Sequence, residues 1–124
     1  MATVAIGKAD FQSTVEAGGI VLVDFWAGWC GPCRMFAPVF EAASEKHEDI
    51  VFAKVDTEAE QELAGGLGIM SIPTLMAFRD GVLLYAQPGA LPSASLEELI
   101  GKVRELDMDS VRRQLAERTA AASS

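Results

Sequence analysis

Short stretches rich in β-branched and aromatic residues alternate with amphipathic stretches along most of this chain, and this alternation limits the folds that it can adopt. The sequence predicts strands at residues 3–6, 20–26, 50–55, 74–79 and 82–87. It predicts helices at residues 8–17, 32–46, 57–66 and from 95 onward. Because parallel neighbours need helical crossovers, the order βαβαβαββα predicts an α/β fold with a central mixed sheet flanked by helices. An Asp80-Gly81 turn should join the last two strands as an antiparallel hairpin.

The length of 124 residues fits one domain, which we expect at residues 1–106. Residues 107–124 form a C-terminal extension of different character, in which acidic and basic side chains balance. A thin apolar stripe of Met108, Val111 and Leu115 predicts one more helix there. We expect that helix to be marginal or partly disordered, because three apolar residues bury little area.

Composition excludes several classes of protein. Ten basic against 18 acidic residues give a net charge of −8, which argues against binding nucleic acid or an anionic membrane. Two cysteines can build neither a disulfide framework nor a four-thiolate zinc site. No signal peptide and no apolar run long enough to span a bilayer are visible. We expect a cytoplasmic monomer. In the reducing cytosol, nearby cysteines are more often catalytic or metal-binding than structural.

Asp24 interrupts the most apolar predicted strand, residues 20–26. A strand that is apolar almost throughout is typical of the buried centre of a sheet, where an ionised carboxylate is costly. Burial should therefore raise the pKa of Asp24 and make it a candidate proton acceptor. The alternative is an edge position at which Asp24 faces solvent.

The two cysteines lie where this strand passes into the second helix, the usual place for a reaction site in an α/β sheet. At a helix start, Cys30 and Cys33 are close enough to close a disulfide. Free N–H groups and the helix dipole favour a Cys30 thiolate, while Cys33 should lie deeper as a thiol. Gly31 leaves the approach to Cys30 open, and Pro32 is tolerated in the first turn. The alternatives are two buried structural cysteines or half of a zinc site.

The segment from Asp24 to Arg34, DFWAGWCGPCR, together with residues 54–56, residues 69–75 and Gly89, resembles the thioredoxin family over residues 3–106. The resemblance implies the thioredoxin fold and a protein-disulfide reductase. Cys30 would attack a target disulfide, Cys33 would resolve the mixed disulfide, and Asp24 would accept the proton of Cys33. Three residues depart from the usual family pattern: Arg34, Gly28 and the apolar Met70.

The resemblance also implies a substrate groove. Pro73 would be a cis-proline facing the cysteines, although an ordinary strand start is the alternative. The backbone of Ser71 and Ile72 would pair with an extended target segment. The expected docking face comprises Trp29, Gly31, Pro32, Ile72, Pro73, Gly89 and Ala90. Trp26 and Lys54 would support the site, with Lys54 close to Asp24; the alternative for Lys54 is a surface lysine.

The partners implied by the resemblance are disulfide-containing proteins and a flavin-dependent thioredoxin reductase that draws electrons from NADPH. We expect no cofactor and no metal on this chain, only the redox-active pair. An oxidant or isomerase on the same fold is one competing interpretation. A non-catalytic docking subunit that uses the apolar groove is the other. The lone His47, at the far end of the second helix, is expected to lie in solvent.

Overall fold

A computed structural model describes residues 2–123, excluding the side chain of Ser123. The elements are β1 (Thr3–Ala5), α1 (Phe11–Glu16), β2 (Ile20–Trp26), α2 (Gly31–Lys46), β3 (Val51–Asp56), α3 (Gln61–Gly66), β4 (Thr74–Arg79), β5 (Val82–Pro88), α4 (Ser93–Glu105) and α5 (Met108–Ser123). The predicted element order, including the extra C-terminal helix, is confirmed. Each predicted strand is found, with its ends displaced by one residue at most.

The five strands form one mixed sheet in the order β1-β3-β2-β4-β5. β3 runs parallel to both β1 and β2, whereas β4 runs antiparallel to β2 and to β5. β2 is therefore the central strand, and its first six residues are all buried. This position explains why residues 20–26 are apolar almost throughout, because both faces of a central strand are covered.

Helices cover both faces of the sheet with apolar stripes. On one face, Phe36 and Phe40 of α2 and Leu96 and Ile100 of α4 enter a core that includes Leu22. On the other face, α1 contributes Phe11 and Val15, and α3 adds the partly buried Leu63. Alternate residues of β2 point into the two cores, so the central strand joins the layers into one folding unit.

The hairpin between β4 and β5 turns at Asp80 and Gly81, as predicted. Both residues have positive φ, 52° and 82°, the backbone conformation that two-residue hairpin turns require. Asp80 tolerates this region because its short side chain is engaged: Asp80 Oδ1 accepts the backbone N–H of Gly19 at 3.0 Å. The turn is thereby tied to the residue before β2.

α3 begins later than the sequence predicts. The segment Thr57-Glu58-Ala59-Glu60 has the sequence pattern of a capping box and predicts a helix start there. The helix instead starts at Gln61, and Glu60 makes no side-chain cap hydrogen bond. Thr57 Oγ1 instead donates to the Trp26 carbonyl at 3.0 Å. Asp56 Oδ1 accepts the backbone N–H of Glu58 at 3.0 Å and so closes the turn in front of the helix. The predicted cap is wrong because its threonine is used to hold the end of β2.

The C-terminal helix α5 is anchored at its start. Asp107 Oδ1 accepts the backbone N–H groups of Asp109 at 3.1 Å and Ser110 at 3.3 Å, a side-chain cap. Met108 is buried, whereas Leu115 is 40% exposed. The predicted apolar stripe therefore packs on the body only in the first turn. None of the described helices is long and apolar enough to cross a membrane.

Candidate active site

The two cysteines occupy the start of α2, directly behind the end of β2. Cys30 is the N-cap residue, and its Sγ accepts the backbone N–H of Cys33 at 3.2 Å. The two residues form a disulfide across a Cα–Cα distance of 5.2 Å. A sulfur in this position receives a free helix N–H and the positive end of the helix dipole, both of which favour a thiolate after reduction.

The disulfide lies just below the surface. Cys30 is 4% and Cys33 2% exposed, so the predicted difference in depth is small. Ala27 completes the buried cluster, and the partly buried Trp26 and Ile72 pack against it. Gly31 has nothing within 4 Å of the place where a Cβ would stand, which leaves space beside Cys30. Within residues 2–123, no group of three acidic, histidine or cysteine residues is arranged to hold a metal ion.

Asp24 is fully buried in the C-terminal half of β2, between Lys54 of β3 and Leu75 of β4. The alternative of an edge position is wrong, because β2 is paired on both sides. Neither carboxyl oxygen of Asp24 has a hydrogen-bond partner among the described residues. Burial raises the pKa of Asp24 from 3.8 to about 7, and the nearby Lys54 ammonium moderates the rise. No direct hydrogen bond joins Asp24 to Cys33, so a proton passing between them would need a water.

Lys54 is held beside the buried carboxyl group and also contacts an aromatic ring. Its register partner in the sheet is Asp24, and its Nζ lies 5.0 Å from the centroid of the Trp26 ring. A cation over an aromatic face is attracted by the ring electrons, which fixes the position of the ammonium group. Lys54 is partly buried, and its supporting role beside Asp24 stays a prediction.

The loop before β4 brings a backbone edge to the disulfide. The Ile72-Pro73 peptide bond is cis, as the resemblance implies. The carbonyl oxygen of Ile72 lies 3.6 Å from Cys30 Sγ. Gly89, with a positive φ of 111°, donates its backbone N–H to the Pro73 carbonyl at 2.8 Å. The exposed Ser71 precedes this pair and accepts at its carbonyl from the Thr74 hydroxyl at 2.5 Å.

The remaining predicted docking residues are Trp29, Pro32 and Ala90, which are all exposed. Trp29 and Pro32 flank the cysteines along the chain. Ala90 follows Gly89 in the loop after β5. Trp29 is 68% exposed, and its indole N–H donates to Glu58 Oε1 at 2.6 Å. This hydrogen bond engages the polar edge of the ring and leaves its apolar face exposed.

Sequence reasoning missed Glu58 as a member of this site. Glu58 follows Asp56, whose side chain shapes the turn that places it opposite Trp29. The sequence signal was present, since two acidic residues follow β3 at the same sheet end as the cysteines. The pattern from Thr57 to Glu60 favours a helix cap instead, and that interpretation hides the contact with Trp29.

The prediction for His47 is wrong. Its side chain is 19% exposed and bridges two elements. Nδ1 lies 3.0 Å from the guanidinium of Arg104, which can only donate. Nε2 must therefore carry the ring proton and donate to Glu97 Oε1 at 2.8 Å.

Comparison with known proteins agrees with this geometry. The family model described as Thioredoxin matches residues 2–102. The Streptomyces coelicolor protein named "Putative thioredoxin 2" is 56% identical over 120 residues, which are 97% of this chain and 90% of that protein. Thioredoxin of Bacillus subtilis is 45% identical over 101 residues, 79% of this chain and 97% of that protein. The Streptomyces match therefore continues into α5.

Solved structures show the same fold. A mutant thioredoxin from Halobacterium salinarum superposes with a TM-score of 0.76 at 34% identity, covering 85% of this chain and 92% of that one. Plasmodium falciparum thioredoxin gives a TM-score of 0.73 at 34% identity, covering 81% and 97%. Fold, cysteine pair and relatives together define a thiol-disulfide oxidoreductase that reduces protein disulfides. The chain belongs to the thioredoxin family, of the bacterial type and with an added C-terminal helix.

Proposed function

We propose that Cys30 is the attacking thiol of the reductase cycle and that Cys33 is the resolving thiol. The reduced protein carries two thiols, and the Cys30 thiolate attacks one sulfur of a target disulfide. A bond forms between Cys30 and the target, and the other target sulfur leaves as a thiolate that takes up a proton. The N–H of Cys33, now 3.2 Å from Cys30 Sγ, supports this assignment because it would stabilise the thiolate before attack.

Asp24 acts as the proton acceptor in the second step. Cys33 loses its proton to Asp24 through a water, and its thiolate attacks Cys30 Sγ. The mixed disulfide breaks, and the target leaves fully reduced. The two electrons that the target gained come from the two cysteine thiols, which are left joined as a Cys30–Cys33 disulfide. A buried carboxyl with a pKa raised to about 7 is suited to this work, because it can both accept and release a proton at neutral pH. The Lys54 ammonium group is the positive charge near Asp24, and the Trp26 ring helps to position it.

The target binds as an extended segment across the loop that carries the cis-proline. The exposed backbone of Ser71 and the Ile72 carbonyl, 3.6 Å from Cys30 Sγ, would pair with the target main chain. Apolar contacts come from surface residues of the predicted docking face: Trp29, Gly31, Pro32, Gly89 and Ala90. Pro73, which the resemblance also places on this face, is buried and instead accepts the Gly89 N–H that holds the loop. Such a face recognises main chain and general apolarity, so it suits many disulfide proteins rather than one.

Electrons return to the disulfide from NADPH through a flavin-dependent thioredoxin reductase, and the protein works as a monomer in the cytoplasm. The bacterial thioredoxins among its relatives support this setting. The chain itself supplies only the dithiol. Addition of NADPH and a bacterial thioredoxin reductase should convert the disulfide to two thiols, as counted by alkylation and mass spectrometry.

The observation that carries the proposal is the Cys30 sulfur at the N-terminus of α2 with an N–H directed at it. The Cys33→Ser variant should therefore form a covalent complex with insulin, visible on a non-reducing gel and released by dithiothreitol. The matched Cys30→Ser variant should form none. Equal trapping by the two variants would contradict the assignment of attacker and resolver.

The Asp24→Asn variant tests the proton acceptor. Because only the second step needs the carboxylate, resolution of the mixed disulfide at neutral pH should slow by about tenfold to a hundredfold. The first attack should slow far less. Rapid-quench alkylation separates the two steps by the amount of mixed disulfide that accumulates. The exposed Glu48→Gln removes the same charge as a control. Equal slowing of both steps would remove Asp24 from this role.

A further inference from the structure

A surface cavity of about 220 Å³ opens beside the loop before β4. Its floor is made of two cross-strand pairs on one face of the sheet, Thr74 with Pro88 and Met76 with Ala86. Thr74 and Met76 belong to β4, while Ala86 and Pro88 belong to β5, the edge strand. The cavity thus lies where the helical cover of this face stops short of the sheet edge.

The lining of this cavity is uncharged and mostly apolar, with hydroxyl groups from Ser71 and Thr74. Leu67 and Ile69, from the loop after α3, form one wall and are partly buried against the core below. Met70 stands at the rim with 93% of its surface exposed. None of the described residues that line the cavity carries a charge. An exposed concave apolar surface of this kind costs free energy in water and is stabilised by an apolar occupant.

The cavity is continuous with the place where a target must lie. Ser71 lines it, and the next residue, Ile72, has its carbonyl 3.6 Å from Cys30 Sγ. Adjacent Cα atoms are about 3.8 Å apart, so Met70 and Ser71 place the cavity rim within roughly 4–8 Å of Ile72 along the chain. A polypeptide whose half-cystine meets Cys30 therefore passes the mouth of the cavity.

We propose that this cavity is a specificity subsite that binds an apolar side chain of the target polypeptide, two or three residues from the half-cystine that Cys30 attacks. An extended chain advances about 3.3 Å per residue, so a side chain at that distance reaches the rim. An engineered protein cavity of about 150 Å³ accepts benzene, so the available volume suits leucine, methionine or phenylalanine. This inference rests on the proposed role of Cys30 as the attacking thiol.

Matched substrates and matched variants test the subsite. The substrates are disulfide-bonded peptides that differ only by leucine or serine at each position within three residues of the half-cystine. Ala86→Phe fills the cavity from an exposed position on β5. Gln87→Phe adds the same ring to the next residue, which points to the opposite face of the sheet. Met70→Asp, at a fully exposed rim position, is a second variant that does not depend on filling the cavity. The readout is kcat/KM for peptide reduction, with oxidised glutathione as a substrate that has no side chain to place there.

The wild-type protein should reduce the leucine peptide about five- to tenfold faster, in kcat/KM, than the serine peptide at one of these positions. Ala86→Phe and Met70→Asp should abolish this preference, Gln87→Phe should keep it, and all four proteins should reduce oxidised glutathione equally. A wild type without preference, or a preference that survives both variants, overturns the subsite while leaving the cysteine chemistry intact. Failure of the Cys33→Ser variant to trap the leucine peptide as a mixed disulfide would instead overturn the proposed role of Cys30, and the subsite with it.

Discussion

The two ends of the sheet differ in whether their central charged group has hydrogen-bond partners. At the end that carries the disulfide, both oxygens of the buried Asp24 lack a hydrogen-bond partner among the described residues. At the other end, Arg104 donates to Asp49 through two bonds of 2.6 and 3.0 Å and also reaches His47. There Arg79, at the end of β4, shares its Nη1 among three backbone carbonyls near the end of α4.

This difference means that the polar groups at one end of the sheet stabilise the fold, whereas Asp24 at the other end serves the reaction. A polar group with partners stabilises the folded state or costs little, whereas a buried group without them costs the full loss of hydration. We call the two ends of the sheet its poles. The buried group without partners, Asp24, lies at the pole that carries the disulfide, where a proton must be accepted and released. The opposite pole, where the end of α2, the end of α4 and β4 meet, carries the hydrogen bonds that tie these elements together.

The largest expected effect follows from the buried carboxyl. The folded-state pKa of Asp24, about 7, lies above the value of 3.8 in the unfolded chain, so the folded state binds its proton more tightly. Folding stability should therefore fall as the pH rises from about 4 to about 7, by about 1.4 kcal/mol per unit and roughly 4 kcal/mol in all. Asp24→Asn should remove this slope and be the more stable protein at about pH 8. Urea unfolding of the oxidised proteins at about pH 5 and about pH 8 measures both statements.

Glu48→Gln serves again as the control for the charge that Asp24→Asn removes. If the Asn variant kept the pH dependence of the wild type, the carboxyl would not be the group that lacks partners. That result would contradict the statement that the disulfide end of the sheet holds a buried carboxyl without partners.

A smaller loss is expected at the opposite pole. Arg79→Met keeps an unbranched apolar stem but removes the donor to the carbonyls of Val103, Arg104 and Leu106. We expect the free energy of unfolding to fall by about 1–2 kcal/mol, with faster amide exchange at the start of α5. The reduction of oxidised glutathione should not change. Lys102→Met, in an exposed ion pair with Glu98, should cost no more than about 0.5 kcal/mol. A loss of activity in Arg79→Met would show that the poles are coupled.

The smallest expected effect concerns the exposed ion pair of the same pole. The hydrogen bond from Arg104 is the main reason that the pKa of Asp49 is lowered from 3.8 to about 2. Any stability from this pair is present above the ordinary pKa and is lost as the pH falls toward 2. Arg104→Leu should return the titration of Asp49, followed by NMR, toward 3.8. Arg112→Leu, which breaks a separate surface pair with Asp109, should leave it unchanged. A wild-type Asp49 that titrates normally would show that this pair is not formed in solution.

Local sequence pattern was sufficient for the elements and for the centre of the site. The apolar run at residues 20–26 predicts the central strand, and the carboxyl within it predicts a raised pKa, because burial on both faces follows from strand type alone. The spacing of Cys30 and Cys33 at a helix start predicts a pair that can close. The cis state of Pro73 came only from the family resemblance, since X–Pro spacing carries no signal for it.

Contacts between distant segments were not predictable in this way. Glu58 meets Trp29 across 29 positions of sequence, and His47 meets Glu97 across 50. Helical and strand periodicity reports which face of an element is buried, but not which polar group on another element it will meet. Thr57 illustrates the result: its local pattern favoured a helix cap, and a carbonyl 31 positions away took its hydroxyl instead.

The chain contains two tryptophans, and both belong to the neighbourhood of the disulfide. Trp26 packs against the cysteine cluster and lies under the Lys54 ammonium, while Trp29 directly precedes Cys30 and is tethered by Glu58. All indole fluorescence of this protein therefore originates within its redox site. Excited at a wavelength that the lone tyrosine does not absorb, the unlabelled molecule emits only from this region, so the oxidation state and the arrival of a target can be followed optically without any added dye.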